Sequence, residues 1–350
     1  MMKLFCKFFI VSVILLQELI TPTEAMLLTS PPPIAEEEVE ERANALSLEM
    51  RWHSNDAKNG QRSSIGFERK NGQTIMQIQF EEEFPQELAA FENRFTFSTP
   101  QDKKVWTFMY GNNVTDELAA LTEAPLSLEE AMGIVHPPRI LENQYPQMTA
   151  ISDIIELIRD KHCVFYTGAG ISAGVVPTMP QLMEKLQLKN GQGEGKGGFL
   201  ITLQSALKNP ALYVQPMDEF YKACLYGKPT PAHLAIRDVA QKKNWGLLTE
   251  NLDLLHQRSG IKPLYRDNSD WLKSNVTETD LNKIHYVITI GLASDESGFL
   301  GWYKATHPQG TIIAINLQQP NYLAGDDLLV TGDVQELLPL LCDQISKELK

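Results

Sequence analysis

Residues 163–172 read Cys-Val-Phe-Tyr-Thr-Gly-Ala-Gly-Ile-Ser, and this stretch decides the fold class. Its first four residues form a short apolar run that predicts a buried strand. The loop Thr167 to Ser172 follows at once, and its glycines permit a tight turn in which backbone N–H groups approach a phosphate closely. The pattern predicts a pyrophosphate site at the carboxyl end of a strand, with a plain structural turn as the alternative.

Helices and strands alternate around this loop. Ile151, Ile154, Ile155 and Ile158 lie on one face of a predicted helix just before the first strand. Further strands are predicted at 245–249, 286–290, 311–315 and 327–330, and an amphipathic helix at 334–347. Strands that alternate with helices imply a parallel sheet covered on both faces. We therefore predict an α/β fold with a doubly wound, Rossmann-like parallel sheet over residues 146–350.

The preceding residues have a different pattern. Alternating residues 75–80 follow Asn71-Gly72, a favourable hairpin turn, and a second hairpin is predicted from 94–98 and 105–110. These signals predict a β-rich α+β domain at 61–145, preceded by a linker and acidic helix at 26–60. No motif in this domain indicates a function, so binding of a protein partner is only the default hypothesis.

Charge and the first residues limit the partners and the location. The formal net charge of −13 argues against nucleic acid as a partner. Residues 1–25 combine Lys3 and Lys7, an apolar run and Thr23-Glu24-Ala25, which predicts a signal peptide and a secreted or periplasmic protein. No stable membrane span is expected after its removal. Met26 follows directly, and a start there would give a cytoplasmic protein instead.

Several motifs together resemble one family. The loop Thr167 to Ser172 resembles the nucleotide loop of the sirtuins, and residues 249–260 resemble that family's Gln-Asn-Ile-Asp segment with its following helix. Shorter matches lie in the same order along the chain: Pro229-Thr230-Pro231-Ala232-His233, Ile290-Gly291-Leu292-Ala293-Ser294, Ile315-Asn316 and Gly332-Asp333. The resemblance implies a sirtuin or deoxyhypusine-synthase-like NAD-binding fold.

The resemblance also implies a ligand and its site. NAD or ADP-ribose would be bound by Gly168, Ala169, Gly170, Ile171, Ser172, Asn251, Asp253, Gly291, Ser294, Asn316 and Asp333. Asn251 and Asp253 would also be catalytic, because a fixed dipole and an anion can stabilise the oxocarbenium charge that develops when nicotinamide leaves. Asn251 could in addition cap the helix that follows it.

The sequence departs from the family in places that matter for chemistry. Asn268 stands where the resemblance places the catalytic His, and an uncharged amide cannot accept a proton near neutral pH. No cysteine lies between Asn268 and Tyr286, so the family's zinc module is missing and no metal is predicted. His256 is interpreted as a packed, hydrogen-bonded residue and Cys163 as core.

Two classes of function follow from these features. The first is an enzyme that cleaves NAD at the nicotinamide glycosidic bond, by NAD hydrolysis, ADP-ribosyl transfer or protein deacylation. The second is a catalytically inactive NAD or ADP-ribose binding module, or a scaffold that binds a protein partner through its N-terminal domain. The missing His favours the second class, whereas Asn251 and Asp253 favour the first.

Overall fold

In a computed structural model of the chain, the described residues are 48–56, 61–70, 72–81, 83–100, 103–111, 139–141, 144–186, 196–251, 253–261, 264–265, 284–295 and 298–348. The predicted signal peptide, the acidic run 37–41 and Asn268 lie outside these ranges. Within them, no helix is both long enough and apolar enough to cross a membrane.

The elements follow one another in a simple order. The strands are β1 (Leu48–Asp56), β2 (Gln61–Lys70), β3 (Gln73–Glu81), β4 (Thr96–Ser98), β5 (Val105–Tyr110), β6 (Gln147–Met148), β7 (Cys163–Thr167), β8 (Gly246–Thr249), β9 (Leu264–Tyr265), β10 (Tyr286–Ile290), β11 (Thr311–Asn316) and β12 (Leu328–Thr331). The helices are α1 (Ile151–Ile158), α2 (Met179–Lys185), α3 (Lys196–Lys208), α4 (Ala211–Tyr226), α5 (Pro231–Lys243), α6 (Leu255–Ser259), α7 (Phe299–Thr306) and α8 (Val334–Glu348). Two 3-10 helices span Gln86–Arg94 and Ala169–Ser172.

The chain divides into two compact units that do not follow its linear order. One comprises Met1–Leu128 together with Met179–Lys222, and the other comprises Glu129–Thr178 together with Ala223–Lys350. The segment Met179–Lys222 lies inside the range 146–350, which the sequence predicted as one domain. In the structure it belongs to the same unit as the N-terminal sheet.

The first unit is built on an antiparallel sheet of order β1-β2-β3-β5-β4. Both predicted hairpins are present, and in the first Lys70 pairs with Gln73 around a two-residue turn whose Gly72 has φ 74°. Strand β1 falls inside the segment predicted as linker and acidic helix. Its signal was readable, because Met50 and Trp52 alternate with polar residues and are both buried.

Three polar contacts join α4 to this sheet. The hydroxyl of Tyr221 donates to the carbonyl of Phe67 at 2.6 Å. The buried Arg69 of β2 makes an ion pair with Asp218, which also accepts a hydrogen bond from Thr74 at 2.8 Å. These contacts explain why residues Met179–Lys222 belong to the same unit as the N-terminal sheet. No local sequence pattern in α4 predicts these contacts.

The second unit has the predicted doubly wound architecture. Its sheet has the order β6-β12-β11-β10-β7-β8-β9, and all the described pairings are parallel. Alternate residues of β7 enter different cores: Phe165 packs with residues of α1, α5 and α8 on one face, whereas Tyr166 packs with residues of α7 on the other. Helices therefore cover both faces of the sheet, as the apolar strands required.

Candidate functional site

The candidate site lies at the carboxyl edge of the parallel sheet. The segments that follow β7, β8 and β10 meet there, because strands β8, β7 and β10 are neighbours and run in the same direction. In open α/β sheets of this kind, the crevice outside the carboxyl ends of the strands is where ligands bind. The sheet order thus brings together motifs that are far apart in the chain.

The glycine loop is packed against the turn after β10. Gly168 N–H donates to the carbonyl of Ile290 at 3.0 Å, and Gly170 N–H donates to the carbonyl of Gly291 at 2.9 Å. A Cβ on Gly168 would lie 2.7 Å from Cα of Leu292, and one on Gly170 would lie 2.7 Å from Cα of Gly291. These N–H groups bind backbone, so the two glycines are needed for close packing of two turns. The sequence argument had assigned those N–H groups to a phosphate.

The remaining loop residues differ in exposure. Ala169 is exposed, whereas the side chain of Ile171 is buried in the core beside α5 and α8. The Ile171 carbonyl accepts a hydrogen bond from Gln335 Nε2 at 2.7 Å and another from Thr230 Oγ1 at 3.2 Å. Gln335 also accepts from Ala232 N–H at 3.3 Å, so it joins the loop to the starts of α5 and α8. Sequence reasoning did not single out Gln335.

Ser172, Asn251 and Asp253 form a buried polar cluster, which we call the Asn–Asp cluster. Ser172 Oγ donates to the carboxylate of Asp253, and Asn251 Nδ2 donates to Ser172 Oγ at 3.2 Å. The exposed fractions are 1% for Ser172, 8% for Asn251 and 5% for Asp253. The structure therefore brings together three predicted site residues from two motifs. Ser172 lies 81 positions before Asp253 and 79 positions before Asn251 in the sequence.

The charge state of Asp253 depends on this cluster. Burial raises the pKa of Asp253, while hydrogen bonds from Ser172, from Leu255 N–H and from Asn251 act in the opposite direction. Leu255 N–H donates to Asp253 Oδ1 at 3.0 Å, so the Asp253 side chain accepts a hydrogen bond from the first residue of α6. The sequence had assigned a helix-capping role to Asn251, but Asn251 instead binds Ser172.

A second polar group lies beneath the loop. The hydroxyl of Thr167 contacts Thr249 Oγ1 at 2.9 Å and His256 Nε2 at 2.8 Å, and all three residues are buried. His256 is thus packed and hydrogen-bonded, as predicted. Its ring lies 4.6 Å from that of His233, whose Nδ1 contacts Thr230 Oγ1 at 2.7 Å. Burial lowers the pKa of both imidazoles, to about 4 for His233.

Glu250 directly follows the last residue of β8. Its N–H donates to the carbonyl of Thr167 at 2.9 Å, which anchors it beside the last residue of β7. Its carboxylate accepts a hydrogen bond from the hydroxyl of Tyr166, and the residue is half-buried. The sequence showed a glutamate where the resemblance has glutamine, but it did not indicate the tyrosine.

Asn316 and Asp333, two further residues predicted to bind the nucleotide, make hydrogen bonds to other parts of the protein. Asn316 Nδ2 donates to the carbonyl of Leu292 at 2.9 Å, which ties the end of β11 to the turn containing Gly291, where φ is 56°. Ser294 in the same turn is partly exposed. Asp333 is exposed, and its Oδ1 accepts from Gln335 N–H at 2.8 Å, so it caps the start of α8.

The sequence also predicted that no metal is bound and that the catalytic His is missing. Among the residues that the structure describes, no group of three or more His, Cys, Asp or Glu side chains could hold a metal ion. Cys163, Cys224 and Cys342 are buried, unpaired thiols, and Cys163 lies in the core as predicted. Asn268 and most of the stretch where the zinc module is missing lie outside the described ranges.

The chain is similar to known proteins over part of its length. No family model matches it. A Pyrobaculum aerophilum protein named NAD-dependent protein deacylase 2 is 34% identical over 120 residues, which cover 30% of this chain and 41% of that protein. The Danio rerio mitochondrial NAD-dependent protein deacylase sirtuin-5 is 28% identical over 173 residues, which cover 44% of this chain and 52% of that protein.

Solved structures of Sir2 proteins are also similar to part of this chain. A Sir2 homologue in complex with NAD is 18% identical, with a TM-score of 0.44, and the match covers 59% of this chain and 98% of that one. A Sir2 enzyme studied for mechanism and regulation is 17% identical, with a TM-score of 0.40, and covers 57% of this chain and 98% of that one.

The parallel sheet, the glycine loop at its carboxyl edge and the buried Asn–Asp cluster define a doubly wound α/β domain of the nucleotide-binding kind. Within that class, the chain is similar over part of its length to proteins of the sirtuin family. It spans only 41% and 52% of the length of the two curated relatives described above.

Proposed function

We propose that this chain binds NAD, cleaves the bond between nicotinamide and ribose, and passes the ADP-ribosyl group to an acceptor, as a sirtuin-type protein deacylase. The single observation that carries the proposal is the Asn–Asp cluster, which places a buried carboxamide and a buried carboxylate at the carboxyl edge of the sheet. Burying these groups is costly unless they are bonded or used, and here Ser172 joins them.

The cluster suits the chemistry of NAD cleavage. Loss of nicotinamide leaves positive charge on the ribose, and a preorganised anion and dipole in a water-poor site stabilise such charge more than water does. Asp253 would supply the anion and Asn251 the dipole, while Ser172 holds both side chains. When bound, NAD supplies the leaving group and the electrophilic ribose carbon. The loop from Gly168 to Ser172 and the turn from Gly291 to Ser294 would hold its remaining parts.

The relatives support the acceptor. Proteins named NAD-dependent protein deacylases match this chain from an archaeon and from vertebrate mitochondria. We propose that the acceptor is the acyl oxygen of a modified lysine in a protein.

The test is incubation of purified full-length protein with NAD, with and without an acyl-lysine peptide, followed by quantification of nicotinamide and deacylated peptide. We expect nicotinamide release, abolished by Asn251→Ala and retained by Asn321→Ala, which changes an exposed asparagine of the same unit. Stabilisation by ADP-ribose without any nicotinamide release would instead identify an inactive binding module. Absence of both would refute the proposal.

Export of the protein and binding of a partner by its N-terminal unit are separate predictions, and each has its own test. Export would be shown by a mature N-terminus after residue 25, whereas a cytoplasmic form would begin at Met26. A protein partner of the N-terminal unit would be shown by binding that survives Asn251→Ala, because that substitution lies in the other unit.

A further inference from the structure

The turn after β10, from Gly291 to Ser294, is held by two side chains that bind the same backbone carbonyl. The carbonyl of Leu292 accepts a hydrogen bond from Asn316 Nδ2 at 2.9 Å and another from the hydroxyl of Tyr322 at 3.1 Å. Leu292 and Tyr322 both belong to the core on one face of the parallel sheet, with exposed fractions of 3% and 0%. The Leu292 carbonyl therefore points into the protein.

The Tyr322 hydroxyl is a fixed donor. It lies 2.8 Å from Thr289 Oγ1 as well as 3.1 Å from the Leu292 carbonyl oxygen. A tyrosine hydroxyl has one proton, so both contacts are used when Thr289 donates to Tyr322 and Tyr322 donates to Leu292. Burial raises the pKa of Tyr322 well above its ordinary value, and the hydroxyl therefore keeps the proton that it donates.

The backbone of Tyr322 is tied to the end of the same turn. Arg139 Nε donates to the carbonyl of Tyr322 at 2.7 Å, and the Arg139 N–H donates to Asp295 Oδ2 at 3.1 Å. Asp295 directly follows Ser294 in the sequence and is itself buried. Tyr322 thus has little freedom to move away from the turn that its hydroxyl holds.

The direction of the Leu292 carbonyl determines the direction of the next N–H group. Every peptide bond in the described part of the chain is trans, and in a planar trans peptide the C=O and N–H bonds point in opposite directions. The N–H that follows the Leu292 carbonyl belongs to Ala293, which is exposed. This N–H makes no hydrogen bond to the described residues. It is therefore a donor directed away from the core.

We propose that Tyr322 is a positioning residue for the nucleotide: by holding the Leu292 carbonyl, it directs the Ala293 N–H outward as a hydrogen-bond donor to an oxygen of the ADP-ribosyl half of NAD. The inference rests on the proposed function, which places NAD against this turn. A donor whose direction is fixed in advance binds with a smaller loss of conformational freedom. Since Tyr322 itself does not touch the ligand, it acts on affinity and not on the chemical step.

The first experiment measures the binding of ADP-ribose by calorimetry to wild type and Tyr322→Phe. The substitution keeps the ring in the core and removes only the hydroxyl. We expect the Kd for ADP-ribose to rise roughly fivefold, the effect of about one hydrogen bond, and the KM for NAD to rise alike with kcat unchanged.

The matched control is Tyr303→Phe, which removes another buried tyrosine hydroxyl on the same face of the sheet. The Tyr303 hydroxyl lies 3.4 Å from the carbonyls of Ile284 and His285, just before β10 begins, and so at the end of the strand away from the turn. Tyr303→Phe should leave the Kd for ADP-ribose unchanged. An equal rise in both variants would show general loosening of the core and reject the role of Tyr322.

A second measurement observes the Ala293 N–H directly and does not depend on how well a variant folds. Wild type labelled with ¹⁵N-alanine would be titrated with ADP-ribose, with the Ala293 signal identified by its absence in Ala293→Gly. We expect the amide proton of Ala293 to move downfield in wild type, and to move less in Tyr322→Phe at saturating ADP-ribose. An unmoved Ala293 signal in a protein that binds ADP-ribose would overturn the inference.

A third measurement tests whether Tyr322 and Asn316 share one acceptor. Tyr322→Phe and Asn316→Ala each leave the Leu292 carbonyl with one donor, whereas the double variant leaves this buried carbonyl with neither. An unpaired buried carbonyl costs more than the loss of one of two bonds, so the loss of unfolding free energy in the double variant should exceed the sum for the single variants. Strictly additive losses would contradict the shared contact on which the inference depends.

The failure of the inference differs from the failure of the proposed function. If wild type binds ADP-ribose and Tyr322→Phe binds it equally well, the role of Tyr322 is refuted while the nucleotide site stands. If Tyr322→Phe lowers kcat at constant KM, Tyr322 acts on the chemical step and not by positioning the turn. If wild type does not bind ADP-ribose, the proposed function is refuted and the inference with it.

Discussion

Gly170 and Gly291 are in backbone contact: the Gly170 N–H donates to the Gly291 carbonyl at 2.9 Å, and a Cβ on Gly170 would lie 2.7 Å from Cα of Gly291. The contact joins the turn after β7 to the turn after β10. Gly170 and Gly291 are 121 positions apart in the sequence. Their backbones can approach this closely because neither residue has a side chain.

We expect Gly170→Ala to destabilise the protein, because backbone atoms must move to admit the methyl group. Overpacking of this kind costs about 1–3 kcal/mol. Denaturant unfolding measures it. The matched control is Gly325→Ala, where the new Cβ would meet only the carbonyl of Tyr145 at 3.8 Å. Equal unfolding midpoints for the two variants would contradict the packing account of the loop.

Ser172→Ala should change the pH dependence of NAD cleavage. Ser172 donates to Asp253 and so lowers its pKa against the larger effect of burial, which raises it. Without this donor the pKa of Asp253 rises further, and the ionised form is lost at a higher pH as the solution is acidified. The acidic limb of the rate profile should therefore move to higher pH, as measured by nicotinamide release across a pH series. An unmoved limb would mean that Asp253 is not the group that titrates.

Gln335→Ala should weaken NAD binding more than turnover. Gln335 holds the carbonyl of Ile171 at 2.7 Å from outside the candidate site, so it acts by positioning the loop. The substitution also removes the bond from Ala232 N–H, but only the bond to Ile171 touches the loop, and its loss of about 1 kcal/mol corresponds to roughly a fivefold rise in KM, with kcat little changed. Gln241→Ala is the control, since that exposed side chain bonds only the carbonyl of Gly260 among the described contacts. A fall in kcat with constant KM would assign Gln335 a different role.

The buried histidines should make the fold sensitive to acid. Burial lowers the pKa of His233 from 6.5 to about 4, so the folded protein keeps this imidazole neutral at pH values where the unfolded chain protonates it. Stability should therefore fall as the pH drops from 6.5 to about 4, by an amount on the order of 3 kcal/mol for this residue.

The measurement is denaturant unfolding across that pH window for wild type, His233→Gln and His285→Gln. His233→Gln should reduce the slope, with His256 supplying part of what remains, whereas His285→Gln, at an exposed position, should keep the wild-type slope. A steep slope that persists in His233→Gln would assign the acid sensitivity to other groups.

In the first unit, Asp218→Ala should be strongly destabilising. Arg69 has only 5% of its side chain exposed and would lose its charged partner, which typically costs about 3–5 kcal/mol when the pair is buried. Glu219→Ala is a control on the same helix, because the pair of Glu219 with Lys185 is long, at 3.8 Å, and exposed. Exposed pairs contribute about 0–1 kcal/mol. Similar losses for both variants, measured by unfolding, would contradict the role of the Arg69 pair.

The sequence by itself determined the class of the second unit and the residues at its centre. The apolar runs, the isoleucines of α1 and the glycine loop are local signals, and each element they predicted is present. Asn251 and Asp253 could be identified because they lie in one short segment that resembles a known motif. The alternation of Met50 and Trp52 with polar residues in β1 is an equally local signal, although the prediction of a linker and helix over 26–60 did not take it into account.

Only the tertiary structure decided which distant groups meet. Gln335 binds the carbonyl of Ile171 across 164 positions, and Arg69 pairs with Asp218 across 149. Residue periodicity specifies which face of a strand or helix is buried, but not which element covers that face. The order of strands in the sheet and the packing of helices on it set those partners, so the Tyr166 donor to Glu250 and the place of Met179–Lys222 beside the N-terminal sheet could not be predicted from the sequence.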